Sequence, residues 1–279
     1  MIRSATTWRG RPAVHLASDH LHAVVTCIGA QLACLRLPGE TLNPLWQPAW
    51  EHSDDPLLDV VCGSNVCIDR FGPPWPGEDR PMHGEAGQRS WETAQEGDTA
   101  VFRTQLPIAR LAVERRFRFV AGGLELTTSA VPLDGGPRAI EWCEHTTLGD
   151  PFLDGVEISA GIAEPRGMPG YGPAAGIRPL PAPAAGDPPR GDIAAGRVLA
   201  GWWRARNPLL GRTLSATWEA AEFPWLCLWT EHRARTSAPW NGRERARGME
   251  LATKPFPDGI PGPDACFAPS TKRVVFGWG

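Results

Sequence analysis

Apolar and polar residues alternate with a period of two along much of the chain. Ala13–Ala17 and His22–Cys27 read as short strands, and Ser18-Asp19-His20 between them is a turn signal. Ile28-Gly29-Ala30-Gln31 then leads into Leu32–Leu37. The clearest alternation lies in Ala100–Leu106 and Leu111–Phe119, and Gly122-Gly123 turns the chain into Leu124–Val131. Strand patterns return at Leu214–Trp218 and Trp225–Trp229, and Lys272–Trp278 reads as a closing strand. Period-two runs with short connections are the mark of an antiparallel meander. No segment keeps a helical period over three turns, and only the surroundings of Glu51 and Ala220 have room for short helices.

Two stretches break the pattern. Residues 44–61 read as an aromatic loop holding Trp46 and Trp50. Residues 164–197 are dominated by Pro, Ala and Gly, which predicts a long surface excursion with little regular structure. Because strand patterns resume after it, the excursion is not a domain boundary. There is no internal repeat of fixed period, so residues 1–279 are expected to form one all-β domain.

Composition narrows the function classes. The chain has 279 residues, 42% of them hydrophobic, ample for one large core. A net charge of −3 with scattered arginines gives no electrostatic footprint for nucleic acid or an anionic membrane. Seven cysteines, with no C-x-x-C pair, predict reduced thiols rather than a disulfide framework. The N-terminal residues carry no apolar signal segment, and no apolar run reaches the length of a membrane span. A soluble cytoplasmic protein is therefore expected. Thirteen tryptophans against one tyrosine read first as core filling, and second as flat platforms for the CH faces of sugar rings.

Three short segments, far apart in sequence, each place an acid/base side chain among turn residues and aromatics: His83 beside Gly84, His145 before Thr146-Thr147-Leu148-Gly149, and Glu250 after Gly248-Met249. Each has an ordinary reading. His83 fits a turn, His145 a strand end, and Glu250 a salt bridge to Arg245 or Arg247. Glu144 adjoins His145, but successive strand side chains face opposite sides and need not meet. The three also match the ligand types of a catalytic zinc, yet no two share a short local spacing, so the metal signal is poor. There is no G-x-S-x-G elbow and no phosphate-binding glycine loop after a strand.

In order and context these segments resemble the aldose 1-epimerase (galactose mutarotase-like) superfamily. His83-Gly84-Glu85-Ala86-Gly87-Gln88-Arg89-Ser90-Trp91 is similar to that family's His-Gly-x-Ala-Arg-x-x-x-Trp motif. Glu144–Phe152 is similar to the segment carrying its second histidine, and Met249–Thr253 to its C-terminal Glu-Pro-x-Thr segment. The resemblance implies a large antiparallel β-sandwich and interconversion of sugar anomers without metal or organic cofactor. It implies His145 as the acid at the ring oxygen, Glu250 as the base at the anomeric hydroxyl, and His83 as a substrate-binding residue. The alternative on the same fold is a non-catalytic carbohydrate-binding protein. The partner implied is a sugar or sugar derivative, with no nucleic acid and no membrane, and a homodimer is left open. The chain departs from the family pattern in three places. No arginine stands at Val61 or Cys62, where the family often has one, and Arg70 or Arg80 is the expected substitute. Gly87 replaces the motif arginine, with Arg89 two residues on. Leu251 replaces the proline after the glutamate. Trp240 and Arg243, in the polar and basic run before Glu250, are further expected pocket residues.

Overall fold

The computed structural model describes residues 2–264 and 266–279. The strand Leu111–Val120 shows why the alternating pattern folds as a sheet. Leu111, Val113, Arg115 and Phe117 are buried, while the residues between them are more exposed. It pairs antiparallel with Thr99–Leu106 on one side and Gly123–Pro132 on the other. Ser270–Trp278, the expected closing strand, continues this array beside Gly123–Pro132 and then meets Arg212–Trp218.

A second antiparallel array runs, in spatial order, through Ser64–Asp69, Arg138–Gly149, Arg245–Ala252, Trp225–His232 and the first half of Arg190–Asn207. The long strand Arg190–Asn207 joins the two arrays. Residues 190–197 pair with Trp225–His232, and residues 202–207 pair with Arg212–Trp218. The strands Arg11–Ala17, His22–Thr26 and Leu32–Arg36 pair in turn and join the second array beside Ser64–Asp69. Leu16, Val25 and Trp142 on that side and Phe102, Phe117 and Phe276 of the other array belong to a single hydrophobic core. Burial at this scale is the main favourable term in folding. The all-β antiparallel expectation holds.

Two local expectations need correction. The Pro/Ala/Gly excursion does not stay irregular to residue 197, because the strand Arg190–Asn207 begins inside it. Its small residues are required by close packing: a Cβ on Gly196 would lie 2.7 Å from the Ala163 carbonyl oxygen, and one on Gly191 would lie 2.8 Å from the Tyr171 hydroxyl. Near Ala220 the chain makes a turn and no helix. Near Glu51 a single-turn helix does form, Pro56–Val60. Asp55 caps it by accepting from the Leu57 and Leu58 amides at 2.9 and 3.0 Å, and Pro56 opens it where no amide is needed.

Candidate active site

Cross-strand register builds the site. His145 lies directly opposite Glu250 on the neighbouring strand, and Asn65 lies opposite His145 on its other side. Cys227 faces Glu250, and Ala195 faces Cys227. The row Asn65, His145, Glu250, Cys227, Ala195 therefore crosses five strands on one face of the sheet. The next row on that face is Thr147, Gly248, Trp229 and Ile193. Gly248 leaves room for the Glu250 carboxyl: a Cβ there would meet the Glu250 Oε1 atom at 2.3 Å. Glu144, on the opposite face, pairs with buried Arg115 at 3.0 Å and accepts from the Thr128 hydroxyl at 3.0 Å, as the alternation requires.

Above this face lies a cavity of about 210 Å³ lined by His83, His145, Glu250, Asn65, Arg235 and Trp240 among others. It is smaller than the roughly 300–1,000 Å³ of drug-sized sites and suits a ligand the size of a monosaccharide. His145 Nε2 and Glu250 Oε1 are 3.3 Å apart. The Thr147 hydroxyl sits 3.2 Å from His145 Nδ1 and fixes the ring. The His83 and His145 rings meet edge to face at 5.7 Å.

His83 arrives on a loop, and glycine makes that approach feasible. His83 and Gly84 both hold positive φ, at 61° and 71°. A Cβ on Gly84 would stand 2.1 Å from the Ile68 carbonyl oxygen, so any side chain there collides with the backbone. Gly84→Ala is expected to cost about 2–4 kcal/mol of stability, read by denaturant titration. His83 N–H donates to the Gly72 carbonyl at 2.7 Å, and the Gly72 amide donates back to His83 Nδ1 at 3.1 Å. Burial opposes a charge on His83, while Cys67 and Glu250 favour one and lift its pKa above the ordinary value. A proton on Nδ1 would break the bond from Gly72, so the ring offers Nε2–H.

Burial also sets the acid/base pair. It pushes the Glu250 carboxyl up to about 8, against the pull of His83 and Arg247. It pushes His145 down to about 3, and the neighbouring His83 adds to the effect. Near neutrality the pair thus holds one proton, resting on Glu250, 3.3 Å from the unprotonated His145 Nε2. Glu250 makes no ion pair with Arg245 or Arg247. Arg245 pairs with Asp150 at 2.9 Å, and Arg247 donates to the Thr230 hydroxyl at 2.8 Å. Among the described residues no group of three or more His, Cys, Asp or Glu side chains is arranged to hold a metal ion.

The whole chain superposes on several solved structures. A galactose mutarotase-like protein from Clostridium acetobutylicum matches with a TM-score of 0.68 at 12% identity, covering 100% of this chain and 98% of that one. A galactose mutarotase related enzyme from Lactobacillus acidophilus matches with a TM-score of 0.64 at 12% identity, covering 95% and 96%. A protein of Synechocystis sp. PCC 6803 matches with a TM-score of 0.74 at 13% identity, covering 96% of each chain. The chain has the galactose mutarotase-like fold. No family model and no curated protein matches the sequence. Among the described residues no helix is long and apolar enough to cross a membrane.

Within this mutarotase-like fold, His83, His145, Glu250 and Trp240 share the cavity, while four of the expected arginines lie elsewhere. Arg70 is buried in a clamp, with Nε 2.7 Å from Glu78, Nη1 3.2 Å from Asp69 and its guanidinium 3.7 Å above the Trp75 ring. Arg80 binds Asp69 at 2.9 Å, and Arg138 reaches the same carboxylate at 3.3 Å. These contacts brace the loop that carries His83 and leave no guanidinium for the cavity. Arg89 and Arg243 are exposed, and neither lines the cavity. The arginine that does line it is Arg235, stacked 4.5 Å over Trp240 and 5.3 Å over Trp229 and 3.4 Å from Glu231. Its only sequence signal was its place in the basic run that holds Trp240.

Proposed function

We propose that the protein interconverts the anomers of a free sugar by acid/base ring opening. The observation that carries this reading is the 3.3 Å pairing of His145 with Glu250 at the base of a monosaccharide-sized cavity. Ring opening needs one proton removed from the anomeric hydroxyl and one delivered to the ring oxygen, and a pair that holds a single proton contains one acid and one base. The proton passes across the 3.3 Å gap to His145 as the sugar settles. Glu250 then takes the anomeric hydroxyl proton while His145 protonates the ring oxygen, and the ring carbon–oxygen bond breaks. The aldehyde rotates, and closure on its other face runs the same transfers backwards. His83 Nε2–H donates to a sugar oxygen, and Arg235 takes the arginine position that the sequence pattern left empty.

Exchange NMR or polarimetry on a panel of free sugars tests the proposal. Accelerated anomer exchange that vanishes in His145→Ala supports it. Saturable binding with no exchange on any sugar would leave a carbohydrate-binding protein instead. His83→Asn is expected to raise KM more than it lowers kcat, because His83 binds and does not move a proton in this scheme. A loss confined to kcat would move His83 into the proton-transfer machinery.

A further inference from the structure

The cavity is chemically two-faced, and its apolar side has consequences for what it accepts. Leu57 and Leu58 enter from the capped helix Pro56–Val60, and Val61 follows them. Trp46 stacks parallel on Trp240, with ring centroids 5.9 Å apart and planes 7° apart. The single polar atom of Trp46 is committed elsewhere, its Nε1–H donating to Glu244 at 2.9 Å. Trp46 therefore offers a ligand only CH and π surface. Met82, Ile193, Trp229 and Pro257 add to the hydrocarbon share of the lining.

The polar groups are few and already partly engaged. Thr147 is held on His145 Nδ1. In the proposed reaction His145 and Glu250 are taken by the ring oxygen and the anomeric hydroxyl. Arg235 is stacked on two indoles and paired with Glu231, so its charge is largely matched before any ligand enters. Asn65, His83 Nε2, the unpartnered Trp229 Nε1–H and the remaining Arg235 N–H groups are left for every other sugar hydroxyl, and none of them belongs to the wall of Leu57, Leu58, Val61 and Trp46. A hydroxyl pressed against Leu57, Leu58, Val61 or Trp46 would lose water and gain no partner.

We infer that the cavity selects sugars with an apolar edge, namely 6-deoxyhexopyranoses, over fully hydroxylated hexoses. The apolar wall takes the methyl group on C5, the carbon bonded to the ring oxygen that His145 protonates, and the Trp46 N–H donating to the Thr147 carbonyl holds the wall beside the strand that bears His145. The inference rests on the sugar-anomer reading for the direction in which the sugar enters.

Matched pairs test it: 6-deoxygalactose against galactose, and rhamnose against mannose of the same hand, with a hexose 6-phosphate beside them. Exchange NMR gives kcat/KM, and saturation-transfer NMR gives binding independently of turnover. The expected result is a preference of about tenfold or more for each deoxy sugar, the scale of one buried hydroxyl left unpaired. Leu58→Asn, at a half-buried position of the single-turn helix, is expected to narrow that preference to about threefold or less by giving the hydroxyl a partner. Equal or reversed preference, or a preference for the phosphorylated sugar, overturns the inference while the anomer-exchange reading stands. An unchanged preference in Leu58→Asn overturns the assignment to this wall. If no sugar exchanges faster, the anomer-exchange reading fails and binding decides: tighter binding of the deoxy partners supports the inference, and equal or absent binding overturns it.

Discussion

Glu250→Gln is expected to lower anomer exchange by roughly 10²–10⁴-fold, the usual contribution of a general base, and to make the folded protein more stable at neutral pH. The two effects share one cause. Glu250 is buried, and burial raises its carboxyl to about 8. A raised pKa means that the folded protein holds the proton more tightly than the unfolded chain. The associated stability is fully present below the ordinary glutamate value and is lost as pH rises through about 8. At pH 7 the loss is already of order 3 kcal/mol. Glutamine does not titrate, and its neutral amide takes the place of the protonated carboxyl beside His145 Nε2. Glu250→Gln should therefore match the wild type near pH 4.5 and exceed it at pH 7 by about 5–10 °C in Tm. Calorimetry across that range reads the divergence. A variant no more stable at pH 7 than the wild type would show that the carboxyl is ionised and satisfied in the folded state. Full exchange activity in the variant would remove Glu250 from the chemistry.

The strands were legible because most of them carry one buried and one more exposed face, which writes period two into the sequence. Leu111–Val120 is the clearest case, with even its buried Arg115 on the inward register. The strand Arg190–Asn207 was not legible where Gly191, Ala194, Ala195 and Gly196 stand. Neighbouring segments pass so close that only small residues fit, and small residues look like loop. The candidate acid/base residues stand out through local motif context, yet their adjacency comes from register. Nothing in the spacing of 145 and 250 states that the two residues face each other across a single strand pair. The arginine misassignment has the same origin. Arg70 and Arg80 are close in sequence to His83, but Asp69 and Glu78, within the same short stretch, capture them. Arg235 is remote from His83 in sequence and reaches the cavity because its loop connects the strands that bear Cys227 and Glu250. The hydrocarbon wall was the least visible feature. Leu57, Leu58 and Val61 look like unremarkable loop residues until Asp55 caps the helix that carries the two leucines.

The pH dependence of exchange should follow the proton count of the His145–Glu250 pair and not either residue alone. Between about 3 and about 8 the pair holds one proton, which is the working state because it supplies one acid and one base. Above about 8 the last proton leaves, no acid remains for the ring oxygen, and kcat/KM should fall about tenfold for each further pH step. Below about 3 a second proton binds and no base remains. A mutarotase relying on a histidine of ordinary pKa would instead lose activity on one side of pH 6.5. The His145–Glu250 pair should therefore contribute a flat region through pH 5–7 with no inflection of its own near 6.5. Initial exchange rates at subsaturating sugar, in buffers from pH 4.5 to 9.5, measure the alkaline limb while keeping clear of acid unfolding. An inflection near 6.5 that persists in His83→Asn would mean that His145 titrates as an exposed imidazole, and the single-proton pair would be wrong; one that disappears in that variant belongs to His83, whose pKa lies above the ordinary value. An alkaline limb that disappears in Glu250→Gln, leaving only low pH-independent activity, would assign the upper pKa to the carboxyl that burial has raised.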